Sequence, residues 1–377
     1  MPIVIAPYSQ DHEEGVKAFN ARLRAGGATL TFPESHVPTW LPKLDGHSVY
    51  HEYYLAVDDQ AVRGAYILKH QLFWIAGSMQ ALAEYRLPFS EGQVDNRFAS
   101  VGVQMYLDAM RKQPLLYTVG IGGYEEAAAQ MLIKAGWSTW PVPFYFRVLR
   151  PAAFLRNIVY LRRSAVRRTV LDLLALSGAG RVAVGAYQAW KTRGRPKDIS
   201  SYDAQTQAEF GPWADSIWAG AYQHYSMIGL RDAATLNITY PASDPRWIRL
   251  KVSAGGMPVG WAVLLSVPMQ GHNYFGNMRV GSLIDCLALP GHEAKVTRAA
   301  LDHLKLTGAD IVVSNLSHRD WRRALEVAGF QLGPSNFIFA ASKRVAAMLA
   351  PFEVEKERVH MTRGDGGGPQ NLLQARK

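Results

Sequence analysis

The sequence predicts a mixed α/β (α+β) fold: two mixed-sheet domains in tandem, joined by a basic helical linker. Three observations predict it. A strand–turn–strand pattern occurs once in each half, a helix closed by a glycine–aromatic pair follows it, and a strongly basic stretch separates the halves. In the first half, residues 53–57 and 62–68 flank a turn; in the second, residues 247–252 and 259–265 do. All four segments are rich in β-branched and aromatic residues, as half-buried strands require. Each return strand carries an early glycine, Gly64 or Gly260.

The second landmark is Ala135-Gly136-Trp137 in one half and Ala328-Gly329-Phe330 in the other. Glycine directly after a helical pattern is the expected left-handed stop. From hairpin glycine to stop glycine the spacing is 72 residues in the first half and 69 in the second, which favours a duplicated domain.

The remaining elements follow in parallel. Opening helices are expected over 11–23 and 204–223, and central strands over 85–90 and 282–289. Helices over 101–111 and 294–306 come next, then strands over 115–119 and 311–314. Closing helices start near Glu125 and Arg319, and final strands span 144–149 and 336–340. Alternation of this kind gives a layered sheet-and-helix architecture. The expected organisation is a domain over 1–150, a linker over 151–200, a domain over 201–350 and a glycine-rich tail over 351–377.

With 48% apolar and 19% charged residues in 377, the chain can build packed cores and is not of disordered type. Its one cysteine, Cys286, excludes an intrachain disulfide and a cysteine-based zinc site. Residues 1–6 lack a charged leader followed by an apolar stretch, so no secretory signal is expected. With no run of about 18 uncharged apolar residues, a spanning helix is not expected either. A reducing, cytoplasmic setting follows.

The net charge of +10 is unevenly placed. Residues 147–197 hold twelve Lys/Arg and one acid, Asp172, so this segment accounts for the whole excess. Within it Phe154, Leu155, Ile158, Val159, Leu161, Val166, Val170, Leu173 and Leu174 recur at helical spacing, interleaved with Arg156, Arg162, Arg163, Arg167 and Arg168. Such a basic amphipathic pattern fits a helix packed on the domains with a solvated face. It also fits docking on an anionic bilayer surface, or contact with an anionic ligand or nucleic acid.

Residues able to carry chemistry are few. Arg97-Phe98-Ala99-Ser100-Val101-Gly102 lies between the first central strand and the next helix. Backbone N–H groups at a helix start can cradle a pyrophosphate, provided small residues let it approach. Gly120-Ile121-Gly122-Gly123 reads as a tight turn. Glu91, at the end of the first central strand, Asp285, within the second, and His318, after a strand at a helix start, are candidate acid–base groups. Cys286 lies in an apolar strand and reads as a core residue.

This element order, with that loop in that place, resembles the GNAT acyltransferase superfamily, which binds acyl-CoA at a [QR]-x-x-G-x-[GA] loop. Arg97 and Gly102 match the pattern, and Ser100 stands at its first glycine. In the second half the equivalent residues 289–295 keep Pro290 and Gly291 but have no G-x-G. The resemblance implies an acyl-CoA substrate, acetyl-CoA or another, with its phosphates at Arg97, Ser100, Val101 and Gly102. It implies direct transfer to an amine, with Glu91, Asp285 or His318 moving protons, and no metal. The ending from Thr362 to Pro369 is similar to that of two-domain GNAT-like bacterial proteins tied to surface-polysaccharide or cell-wall loci.

The function expected is an acyl-CoA-dependent N-acyltransferase acting on an amine, a small-molecule or lipid-linked acceptor such as an amino sugar or envelope precursor. The expected setting is cytoplasmic, peripheral at the inner membrane face if 151–200 docks there. The alternatives are a Fem-type transferase using aminoacyl-tRNA, the one reading with a nucleic-acid partner, and a non-catalytic binding protein with a degenerate GNAT fold.

Overall fold

The computed structural model describes residues 3–367, other than 60, 163, 178, 180–181, 183–184 and 187–200. The chain divides into two compact units, each drawn from two stretches: Met1–Trp140 with Ile338–Val354, and Pro141–Phe337 with Glu355–Lys377. These differ from the contiguous blocks 1–150 and 201–350 that the sequence suggests. Hydrophobic periodicity announces a strand but not the sheet it joins. Here Phe144–Val148 completes the sheet of the second unit and Ile338–Ala341 that of the first.

The first unit opens with β1 (Val4–Pro7) and α1 (Glu13–Ala25), then the long meander β2 (Tyr50–Asp58), β3 (Ala61–Ile75) and β4 (Ser78–Ser90). There follow α2 (Val101–Lys112), β5 (Leu116–Val119), α3 (Ala127–Lys134) and β6 (Ser138–Pro141). With Ile338–Ala341 numbered β15 in chain order, its sheet runs β1-β2-β3-β4-β5-β15-β6. β3 is apolar from Gly64 to Leu68 because both its faces are covered there. Ala65 and Ile67 pack with Val16, Phe19 and Leu23 of α1, whereas Tyr66 and Leu68 pack with Val101 and Met105 of α2. Successive side chains of a strand point to opposite faces, so a helix on each side needs two interleaved apolar sets.

The second unit takes in β7 (Phe144–Val148), α4 (Pro151–Asn157) and α5 (Ala165–Leu176), then β8 (Asp203–Gln207), α6 (Pro212–Ala221), β9 (Met227–Gly229) and α7 (Ala233–Thr239). Next are β10 (Ile248–Ala254), β11 (Met257–Pro268), β12 (Arg279–Ala288), α8 (Glu293–Leu306), β13 (Ile311–Asn315), α9 (Arg319–Val327) and β14 (Gln331–Gly333). Its sheet runs β14-β7-β13-β12-β11-β10-β8. The opening helix expected over 204–223 is in fact β8 followed by α6. Pro212 starts the helix, a position where its missing N–H costs nothing. The linker is helical over α4 and α5 with a 3-10 turn between; much of 178–200 lies outside the described residues.

The two glycine landmarks do the same work in each unit. A Cβ on Gly64 would stand 2.8 Å from Val101 Cγ1 and 2.7 Å from Met105 Sδ; one on Gly260 would stand 2.4 Å from Val296 Cγ2. Each glycine lets the helix after the central strand lie directly on the sheet. Gly136 and Gly329 both stop a helix at positive φ, 81° and 83°.

Both central strands also carry a bulge. β4 sets Leu87 and Pro88 against the single residue Tyr66, between its pairings Ala65↔Phe89 and Ile67↔Arg86. β12 holds Ile284 in excess between Val263↔Asp285 and Leu264↔Leu283. The parallel ladder to the next strand reaches no further than Glu84↔Tyr117 in one sheet and Leu283↔Ser314 in the other. Past those points the strands part, leaving a wedge in each sheet. A bulge bends its strand, and that bend is what opens a sheet locally.

Candidate functional site

In the first unit the wedge lies between the end of β4 and the end of β5. The turn after β5 holds Gly120, Gly122 and Gly123 at positive φ, the tight turn the sequence predicts. Ser100 occupies the N-cap position of α2 and its Oγ accepts from Gln104 Nε2 at 3.2 Å. Val101 is buried against Gly64. Gly102 sits between Ser90 and Met131, yet a Cβ there would meet them only at 3.9 and 4.0 Å. The protein's own packing therefore does not demand glycine at 102. Between α2 and α3 runs a groove of about 530 Å³ lined by Val103, Tyr106, Leu107, Met131 and Lys134.

Arg97 and Glu91 are placed differently from each other. Arg97 is 82% exposed and folded back on Asp95, Nη2 to Oδ2 at 2.6 Å. The pairing raises the Arg97 pKa through that hydrogen bond and keeps the side chain cationic. Glu91 is buried, with Oε1 taking Arg22 Nε at 2.6 Å and Oε2 taking Arg63 Nη1 at 3.0 Å. Both of its oxygens are held by guanidinium groups, the arrangement of a clamp between α1, β3 and the loop after β4.

In the second unit the wedge is filled by the chain itself. Strand β16 (Val359–His360) pairs in parallel with β9, and the residues after it bond to both lips of the wedge. On the β12 side, His360 Nε2 donates to the Cys286 carbonyl at 2.9 Å and Thr362 Oγ1 donates to Asp285 Oδ1 at 3.1 Å. On the β13 side, Arg363 Nε donates to Asn315 Oδ1 at 2.9 Å, and Met361 N donates to Ser317 Oγ at 2.7 Å. The sequence suggests a mobile glycine-rich tail here; residues 359–362 and 364–367 are instead buried. Gly364 serves close approach, lying against Tyr240 and Asp285.

Asp285 lies at the centre of this packing. Its carboxylate receives Arg231 Nε at 3.0 Å and Tyr240 Oη at 3.0 Å, and Arg231 Nη2 reaches on to Asp365 at 2.7 Å. Burial opposes the charge on Arg231, but the two carboxylates outweigh it and raise its pKa. Burial pushes Asp285 up against the pull of Arg231. Burial also drives the Cys286 thiol well up, in keeping with a core residue.

His318 caps α9, its Nδ1 accepting from Asp320 N at 3.3 Å. It is buried against the Tyr225 ring, near His360, and burial lowers its pKa to about 3. Among the described residues its Nε2 finds no hydrogen-bond partner. Beside it is a pocket of about 410 Å³ at the start of α8, lined by His224, Pro290, Gly291, Glu293, Asp320 and Arg323. Burial raises the Glu293 pKa. His224, His318 and Asp320 each bring one ligand atom within 4.8 Å of the others. A metal taken at His318 Nδ1 would need the lone pair that now caps α9.

The structure thus gathers Ser100, Val101 and Gly102 at one helix start but leaves Arg97 turned to Asp95. Glu91 lies in the first unit and Asp285 and His318 in the second. Sequence reasoning missed Arg231, Tyr240 and Asp365 around Asp285, and His224, Glu293 and His360 around His318. The one advance signal was the pair Pro290 and Gly291, which marks the pocket.

No family model matches the chain, and neither does any curated protein. Solved structures do match. A conserved protein of Enterococcus faecalis V583, described as a probable N-acyltransferase, aligns with a TM-score of 0.52 at 10% identity, over 92% of this chain and 74% of that one. Saccharomyces cerevisiae N-myristoyltransferase with bound myristoyl-CoA aligns with a TM-score of 0.52 at 11% identity, over 91% and 79%. A tandem GNAT protein from the clavulanic acid biosynthesis pathway aligns with a TM-score of 0.46 at 12% identity, over 90% and 98%. At such identities the likeness shows the fold alone: this chain shares the fold of the first two structures, built here as two mixed sheets.

Proposed function

We propose that the protein is an acyl-CoA-dependent N-acyltransferase whose donor site is the wedge of the first unit. One observation carries the choice of unit: the wedge between β12 and β13 is occupied by residues 359–365, whose bonds take the Cys286 carbonyl and the Asp285 carboxylate. A thioester donor would have to displace them. In the first unit the helix start Ser100–Gly102 stands beside Ser90, with the α2–α3 groove leading away from it. Helix-start N–H groups and the dipole behind them suit a pyrophosphate, and the apolar groove suits a pantetheine or acyl chain.

The reaction forms a C–N bond and breaks the thioester C–S bond; the amine loses a proton and the departing thiolate gains one. Cys286 is buried in β12 of the other unit, and direct transfer calls for no thiol nucleophile. We assign the acceptor as an amine on an amino sugar or related envelope precursor, small or lipid-linked. The arrangement also favours a second reading, a binding protein without turnover, because Glu91 and Asp285 are both locked by arginines.

The test is titration calorimetry with acetyl-CoA and longer acyl-CoAs, alongside thiol release in the presence of amines. Wild type should bind, and Gly102→Asp should lose binding at an unchanged melting temperature, since the position has room but the new charge opposes phosphate. Binding without thiol release for any amine supports the second reading. Equal affinity of wild type and Gly102→Asp places the donor elsewhere. Tight binding of aminoacyl-tRNA that weakens steeply with salt supports the Fem-type alternative.

A further inference from the structure

We propose that the outer face of α5, with the 3-10 turn Val159–Arg162 before it, is a docking surface for an anionic lipid bilayer. The helix has two apolar faces. One is turned inward through Ala175; on the opposite side Val166, Val170 and Leu173 follow each other at one-turn spacing, 74%, 49% and 61% exposed. Leu176, 71% exposed, continues the stripe. Val159, in the preceding turn, is exposed as well, and its N–H donates to the carbonyl of Tyr274, whose ring is also exposed. A run of large apolar side chains facing water along one helix marks an interaction surface rather than a solvated face.

Charge selects the occupant. Residues 147–197 hold twelve basic residues and one acid. That acid, Asp172, is taken by Arg162, Nη1 to Oδ1 at 2.6 Å. Arg156, Arg167 and Arg168 are exposed near the stripe, and Arg168 Nε fixes α5 to the turn by donating to the Arg162 carbonyl at 2.9 Å. An apolar stripe with cations at its sides is the pattern of a helix lying in a bilayer interface, apolar side among acyl chains and arginines at the headgroups. RNA would use the arginines but leave the stripe wet. A second copy of the chain would bring its own excess positive charge to the contact. Among the described residues no helix is long and apolar enough to cross a membrane, so the contact is with the surface.

The experiment is vesicle co-sedimentation of the full-length protein, with pure phosphatidylcholine vesicles against vesicles containing phosphatidylglycerol. Binding should need the anionic lipid, and Val170→Glu/Leu173→Glu should weaken it at least tenfold, since each apolar side chain transferred is worth about that factor. Arg156→Glu/Arg167→Glu should weaken it too. All four positions are exposed, so melting temperatures should not move, and this is measured alongside. No sedimentation with phosphatidylglycerol at low salt overturns the proposal. So does undiminished binding by Val170→Glu/Leu173→Glu, which would mean adsorption by charge alone. A dimer in solution that this variant dissolves would overturn it in favour of a second copy. None of these outcomes depends on acyl-CoA binding.

Discussion

Gly364 lies directly against the Tyr240 hydroxyl: a Cβ built on the glycine would stand 2.0 Å from Tyr240 Oη and 3.1 Å from Asp285 Oδ2. The contact explains why a segment that reads as a flexible end is locked into the second unit. The Gly364 N–H donates to Thr362 Oγ1 at 3.1 Å, so the turn is held from within as well. Gly364→Ala should destabilise the protein by about 1–3 kcal/mol, the usual cost of overpacking a closed site. Urea denaturation checks this, and an unchanged midpoint would mean that the turn can move aside.

Arg231 supports a larger expectation. It bonds Asp285, Asp365 and the Gly229 carbonyl in a nearly dry environment. Arg231→Met would leave two carboxylates buried without their cation, a loss of about 3–5 kcal/mol. A double variant with Asp365→Asn should recover part of that, because it removes one of the stranded charges. Additive losses in the two single variants would show that the groups do not act as a unit.

Acid should weaken the protein through its buried histidines. Burial holds His318 at about 3 and places His360 well below the ordinary value, so both are neutral in the folded chain. The unfolded histidines titrate near 6.5 and take up protons first. Their contribution is therefore complete above about pH 6.5 and is lost as pH falls toward 3. For His318 the loss is about 2 kcal/mol by pH 5. His318→Gln should flatten this slope between pH 6.5 and 5, as read from denaturant midpoints at each pH. A slope equal to that of wild type would assign the acid sensitivity to other groups.

What the sequence disclosed was local. Gly64, Gly260, Gly136 and Gly329 were legible because each answers a backbone or close-packing need that only glycine meets. The strands 144–149 and 336–340 were legible as strands, but their exchange between sheets was not, since pairing partners leave no mark on periodicity. Asp285 was legible as an acid in an apolar strand. Its partners Arg231, Tyr240 and Asp365 lie 54, 45 and 80 residues away, and nothing local links them. Glycine has two opposed uses, freedom and close approach. In Gly364 the second applies, and composition alone points to the first.

The pairing of Arg97 with Asp95 yields the sharpest test of the donor site. Asp95 now accepts both Arg97 Nε and Nη2, so it competes with any phosphate for the same guanidinium. If the acyl-CoA pyrophosphate rests on the start of α2, binding requires Arg97 to exchange one anion for another. Arg97→Ala should then weaken acyl-CoA binding about tenfold, the order expected for loss of a charge-assisted bond. Asp95→Asn should tighten it, because the guanidinium is released and a nearby negative charge is gone. Both side chains lie at the surface of the loop, so neither change should move stability by more than about 0.5 kcal/mol. Titration calorimetry on the two variants gives opposite signs if the site is here. Equal affinities in both would remove the donor from this loop, whatever the fold.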